Sequence, residues 1–184
     1  MELKPQDLLV SLKLCLNHSQ KPTYNQLADS LGMEESAVYR AVKRAQNSRL
    51  LHPTELRPMF AAIEEFMIHG AKYAFPAHYT GALTRGVPTA YAAPPLSDLI
   101  VADNEPVPVW SDGHGTVRGT PLSPLYKTAA FAAKNDEKLY QLLALLDAIR
   151  IGRVRERELA KQQISQILKI ARNDVSTRTL EVRA

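Results

Sequence analysis

A chain of 184 residues is long enough for one large or two small domains, and its 45% apolar and 23% charged side chains are ordinary for a globular protein with a core. The formal net charge is only +4, yet residues 58–149 carry more acids than bases, while residues 1–57 and 150–184 are both net basic. One cysteine, Cys15, excludes a disulfide framework within the chain, and no apolar run approaches the ~20 residues of a membrane span. The N-terminus is acidic, with Pro5 and Asp7, and lacks the apolar stretch of a signal peptide. The expectation is therefore a cytoplasmic protein with no membrane partner.

Residues 5–17 read as a first helix, with Leu8, Leu9, Leu12 and Leu16 on one side and Cys15 buried among them. A second helix opens at Thr23, where Gln26 three residues on completes a capping box. Leu27, Ala28 and Leu31 form its inward stripe, and Ala28 is small where two helices would cross. Gly32 follows the last apolar position, where a left-handed residue closes a helix, and Met33 plugs the corner. A third helix starts around Glu34 to Ser36 and buries Ala37, Val38, Ala41, Val42 and Ala45. Two helices joined by a short turn containing glycine are the helix-turn-helix signature.

The outer face of the third helix, at about 35–48, carries Glu35, Ser36, Tyr39, Arg40, Lys43 and Asn47. Residues at the start of a recognition helix sit deepest in the major groove, so Ser36, Tyr39 and Arg40 are the candidates for base edges. Arg40 suits guanine O6 and N7. Lys43, Arg44 and Arg49 are placed for phosphates, and Thr23 and Glu35 complete the candidate DNA-binding set. An ordinary solvated basic helix is the plain alternative. The spacing of Ala28, Gly32 and Val38, with a basic outer face, favours DNA.

These residues resemble the helix-turn-helix core of bacterial winged-helix transcription regulators of the MarR-like group, over about the first third of the chain. The resemblance implies a winged helix-turn-helix domain at 1–57 that reads double-stranded DNA. The sequence departs from the group where a wing belongs: Leu50-Leu-His-Pro-Thr-Glu-Leu-Arg-Pro58 is short and broken by proline. A small or absent wing is expected, with Arg57 its single cation.

Pro58 can start a connecting helix bearing Met59, Phe60, Ile63, Phe66, Met67 and Ile68, ended by Gly70. Residues 71–125 lose helical periodicity. Lys72 to Pro76 reads as a short strand. Residues 84–96 read as a compact extended segment and 96–102 as a brief helix. Val107–Trp110 and Thr116–Arg118 flank an Asp-Gly turn, the signal for a β-hairpin. Asn135 or Asp136 caps a helix carrying Leu139, Leu142, Leu143, Leu146 and Ile149 and ended by Gly152. A last helix runs from about Val154 to Ala171 with Leu159, Ile164, Ile167 and Leu168 as its stripe, a candidate dimer interface. Residues 173–184 lack periodicity and read as a disordered tail.

The expected fold class is thus α+β and mostly helical: a reader at 1–57, then at 58–172 a connecting helix, a small β module and C-terminal helices. No catalytic constellation emerges. Ser111-Asp112-Gly113-His114 has the letters of a hydrolytic triad, but neighbours cannot adopt triad geometry. His69, His78 and His114 with Asp112 lack ligand spacing, so neither metal nor cofactor is expected. Arg85-Gly86-Val87-Pro88-Thr89 matches no phosphate loop, and Trp110 and Tyr91 suit a core better than a pocket. Arg150, Arg153, Arg155 and Arg157 alternate with acids and read as a solvated junction. Two functions follow: a dimeric transcription regulator, or a DNA-binding antitoxin or defence-operon regulator whose residues 71–150 bind a protein partner.

Overall fold

The computed structural model describes residues 2–17, 20–101 and 106–181, without side chains for 175–181. Ala102 of the expected brief helix and residues 182–184 of the expected tail lie outside them. The fold is α+β and mostly helical, with one three-stranded sheet.

Helix α1 (Pro5–Asn17) is the centre of the molecule. Every residue from Asp7 to Cys15 is buried, because the helix packs on α3 (Glu35–Asn47) on one side and on α7 (Glu137–Ile151), α4 (Phe60–Glu65) and α8 (Val154–Glu181) on the others. Helices α2 (Tyr24–Leu31) and α3 (Glu35–Asn47) follow. Thr23 and Gln26 form the capping box. Gly32 closes α2 in the left-handed region at φ 61°, which a side chain there would strain. Val38, Ala41, Val42 and Ala45 are fully buried against α1 and α2.

The connecting helix does not end at Gly70. Helix α4 (Phe60–Glu65) passes into a π-turn (Phe66–Gly70) and then α5 (Ala71–Ala74). The expected strand at Lys72 to Pro76 is therefore helical as far as Ala74. The extra residue of the π-turn keeps Met67, Ala71 and Phe75 all facing the core, a gain that outweighs the glycine's low helix propensity. Arg150 on α7 donates through Nε to the Phe75 carbonyl at 2.7 Å and so satisfies the end of α5.

Strands β1 (Thr84–Pro88), β2 (Pro108–Ser111) and β3 (Val117–Pro121) close on one another. β1 is antiparallel to both others, with Val87 opposite Trp110 and Arg85 opposite Arg118. The expected β2–β3 hairpin does not form; the two strands run parallel, with Val109 opposite Pro121. The Asp-Gly turn itself is present, since Gly115 donates to the Asp112 carbonyl and His114 N–H to Asp112 Oδ1. It reverses the chain only so that β3 can start again along β1. The sheet itself requires Gly86, because a side chain there would collide with the Trp110 carbonyl across it. A 3-10 turn at Leu96–Asp98 occupies part of the brief helix expected there.

Helices α6 (Ala129–Lys134), α7 (Glu137–Ile151) and α8 (Val154–Glu181) complete the chain. Asp136 caps α7 through Leu139 N–H and also accepts from Lys13 on α1 at 2.8 Å. The apolar stripe of α8 does not stand free for a second subunit. Ile164 and Leu168 are fully buried, and the helix packs on α7, α4 and α1. The helix runs beyond the end of that stripe at Ala171, through Glu181. One buried cluster extends from Leu8 to Leu168. Among the described residues, no helix is long and apolar enough to cross a membrane.

Candidate nucleic-acid interface

The α2–turn–α3 pair leaves one face of α3 uncovered. Glu35, Ser36, Tyr39, Arg40, Lys43 and Asn47 are all exposed, and their spacing places them on one side. Arg40 has no hydrogen-bond or ionic partner within the described chain, so its guanidinium is unspent. Tyr39 is 49% exposed and bracketed: Tyr24 of α2 meets it edge-on at 5.5 Å between centroids, and Lys43 Nζ lies 5.5 Å from its ring. Tyr24 thus joins the face, which the sequence reading missed although Tyr24 is the first residue of α2. Burial, and then the neighbouring Tyr39, push the Tyr24 phenol up.

Thr23 is exposed but its hydroxyl accepts from Gln26 N–H at 3.2 Å, so it is a cap first. Arg49 stands exposed just beyond α3, in the left-handed region at φ 61°. Arg44 differs from the rest of the candidate set. Only 8% exposed, it turns inward and clasps Asp7 of α1, with Nε to Oδ2 at 2.8 Å and Nη2 to Oδ1 at 2.6 Å. It cannot reach a phosphate while it holds that carboxylate. Its position beside Ala41 on the flank of the apolar stripe was the signal for this.

After α3 the chain makes a small antiparallel loop. Met59 N–H donates to the Leu50 carbonyl at 2.9 Å and His52 N–H to the Arg57 carbonyl at 2.8 Å, around a single bridge between Leu51 and Pro58. Arg57, at its foot, pairs with Glu55 at 3.2 Å, both exposed. On the other side, Phe131 of α6 lies across the turn. A side chain on Gly32 would meet its ring at 2.7 Å, and the ring is still 48% exposed. One turn further along α6, Lys134 pairs with Asp112 at 2.6 Å and so joins the turn region to the sheet. There Arg85 and Arg118 sit opposite each other, exposed and, among the described residues, without acidic partners.

The remaining candidates separate. Trp110 is core, 1% exposed, and donates through Nε1 to Asp147 Oδ2 at 2.7 Å. Thr89 donates to the same oxygen at 2.8 Å, while Arg150 Nη1 holds Oδ1 at 2.6 Å. Complete burial pushes the Asp147 carboxyl up, and Arg150 with the hydroxyl and indole donors pulls against it. Arg150 is therefore a buried anchor and not part of a solvated junction. Tyr140 donates to the Pro88 carbonyl at 2.7 Å, and burial pushes its phenol up to about 12. Tyr91 instead lines an open apolar cleft of about 490 Å³ with Pro88, Leu99, Ile100 and Val107. Cys15 is buried, and burial pushes its thiol up. Among the described residues no three His, Cys, Asp or Glu side chains gather to hold a metal ion. No family model, curated protein or solved structure matches the chain.

Proposed function

We propose that the chain is a sequence-specific transcription regulator that binds double-stranded DNA, with α2 and α3 as a helix-turn-helix and α3 in the major groove. The observation that carries this reading is the uncovered face of α3, with Ser36, Tyr39 and Arg40 near its start and an unspent guanidinium on Arg40. A helix offered by its first turns, behind a tight left-handed turn, is the docking geometry of this motif. Arg40 is assigned to a base edge, and Lys43 and Arg49 to phosphates. The loop at 50–59 serves as a reduced wing whose one cation is already paired, so contact in the minor groove is slight. No catalysis is assigned.

The regulator acts as a homodimer, because two-fold operators are read by two-fold proteins. Since α8 spends its stripe inside the chain, the pairing surface is another one. A second reading, an antitoxin or defence-operon regulator that also binds a protein partner through residues 71–150, is favoured by the exposed Leu83 and Leu99 around the sheet. A stoichiometric partner retained when the protein is purified from its own cells decides for it.

The test is binding to the protein's own upstream DNA over a salt series, against a scrambled duplex of equal length. Tight binding to the native duplex alone, weakening steeply with salt, is the expected result. Arg40→Ala should cost about 1–3 kcal/mol of that affinity with an unchanged circular dichroism spectrum. Equal weak binding to both duplexes sinks the proposal.

A further inference from the structure

The π-turn does more than carry a glycine through a helix. Its wide turn, closed by Ala71 N–H on the Phe66 carbonyl, is a rare geometry that recurs at functional sites. Here it brings His69, Lys72 and Tyr73 to the same cleft as Arg157 and Lys161 of α8, over a floor of Ile68 and Ile149. The cleft holds about 220 Å³. Four of its lining side chains are basic and none is acidic.

Their hydrogen bonds leave most of that charge unspent. Arg157 donates through Nη1 to the Gly152 carbonyl at 2.7 Å, with Nε and Nη2 left over. Lys72 Nζ lies 4.7 Å from the Tyr73 ring centroid and has no carboxylate partner among the described residues. Lys161 pairs with the exposed Glu158 at 2.6 Å, a carboxylate that also feels Arg157. Positive groups gathered in a concavity repel one another unless an anion joins them. A guanidinium fork flanked by ammonium groups is the donor set for phosphate oxygens. Lys72, Arg157 and Lys161 have between them the single carboxylate of Glu158, so a surplus of two positive charges remains to match a dianion, and the apolar floor with Tyr73 leaves room for a small group attached to it.

We infer that the cleft between the π-turn and α8 is a binding site for a small phosphorylated ligand. The site lies on the helix that leaves the 50–59 loop and packs on α1 through α4, in contact with elements on both sides of the core.

The probe is inorganic phosphate, titrated into the full chain without DNA at constant ionic strength and followed by amide NMR. That choice makes the result independent of whether α3 reads DNA. Saturable shifts confined to Ile68–Tyr73 and Arg157–Lys161 are expected. Lys72→Gln, which disturbs no hydrogen bond, should weaken binding about tenfold, the loss of one charge-assisted contact. Arg157→Gln should weaken it at least as much, whereas Lys43→Gln, on the α3 face, should leave it unchanged. Shifts that never saturate, that fall on α3, or that persist equally in Lys72→Gln overturn the inference.

Discussion

Arg40 and Arg44 stand one helical turn apart on α3 and differ in everything but charge. Arg40 faces water with its fork open, whereas Arg44 is buried in a bidentate clasp on Asp7. Removing one partner of a buried pair strands the other's charge. Arg44→Ala should therefore destabilise the fold by about 3–5 kcal/mol, read by urea unfolding. Arg40→Ala should leave the midpoint nearly unchanged. Equal midpoints for the two variants would contradict the division of labour. Asp112 supplies a pH signature. Its carboxyl is held below the usual carboxylate range, first by the hydrogen bond from Lys134 and then by the His114 amide. A depressed carboxylate adds stability above its unfolded value and loses it as pH falls through the folded one. Asp112→Asn should thus lower the melting temperature at neutral pH and make no difference once Asp112 is protonated in the wild type. A gap that persists unchanged in acid would show that Lys134 is not the cause.

At the scale of elements, what was legible in the sequence was what neighbours in the chain decide. Thr23, Gln26, Gly32 and the Val38–Ala45 stripe announce α2, the turn and α3, because a cap, a left-handed glycine and a helical period are local. Where the partner is distant, the sequence misled. Asp112-Gly113 announced a turn correctly, but β1, far back in the chain, decides that β2 and β3 run parallel. Arg44 read as a phosphate contact because Asp7 is 37 residues away. The partners of Asp147 are just as distant: nothing near it in the chain foretells Thr89 or Trp110. That carboxylate pegs the sheet to α7. Asp147→Ala would leave Arg150 buried without its counter-charge and two donors without an acceptor, and should cost about 3–5 kcal/mol. Trp110 is the only tryptophan, so its fluorescence reports this directly. An unshifted emission maximum and unchanged stability would deny the peg.

Across the whole molecule, α1 belongs to two neighbourhoods at once. One side of it is the wall on which α3 rests; the others meet α7, α4 and α8. Its run of buried residues from Asp7 to Cys15 has no face to spare for water. This bears on how such a protein can be rearranged. A reader joined to its companion by a linker can be shuffled onto new partners. A helix pair that shares its central helix with the rest of the chain cannot, because its inheritance is tied to that chain. A peptide of residues 1–57 alone should show little cooperative unfolding and should bind the apolar dye ANS, while the full chain unfolds in one transition. A fragment that melts sharply would mean that the first three helices are portable after all. If it does not, the exposed residues of α3 can change one by one, but the surface itself travels only with the whole fold.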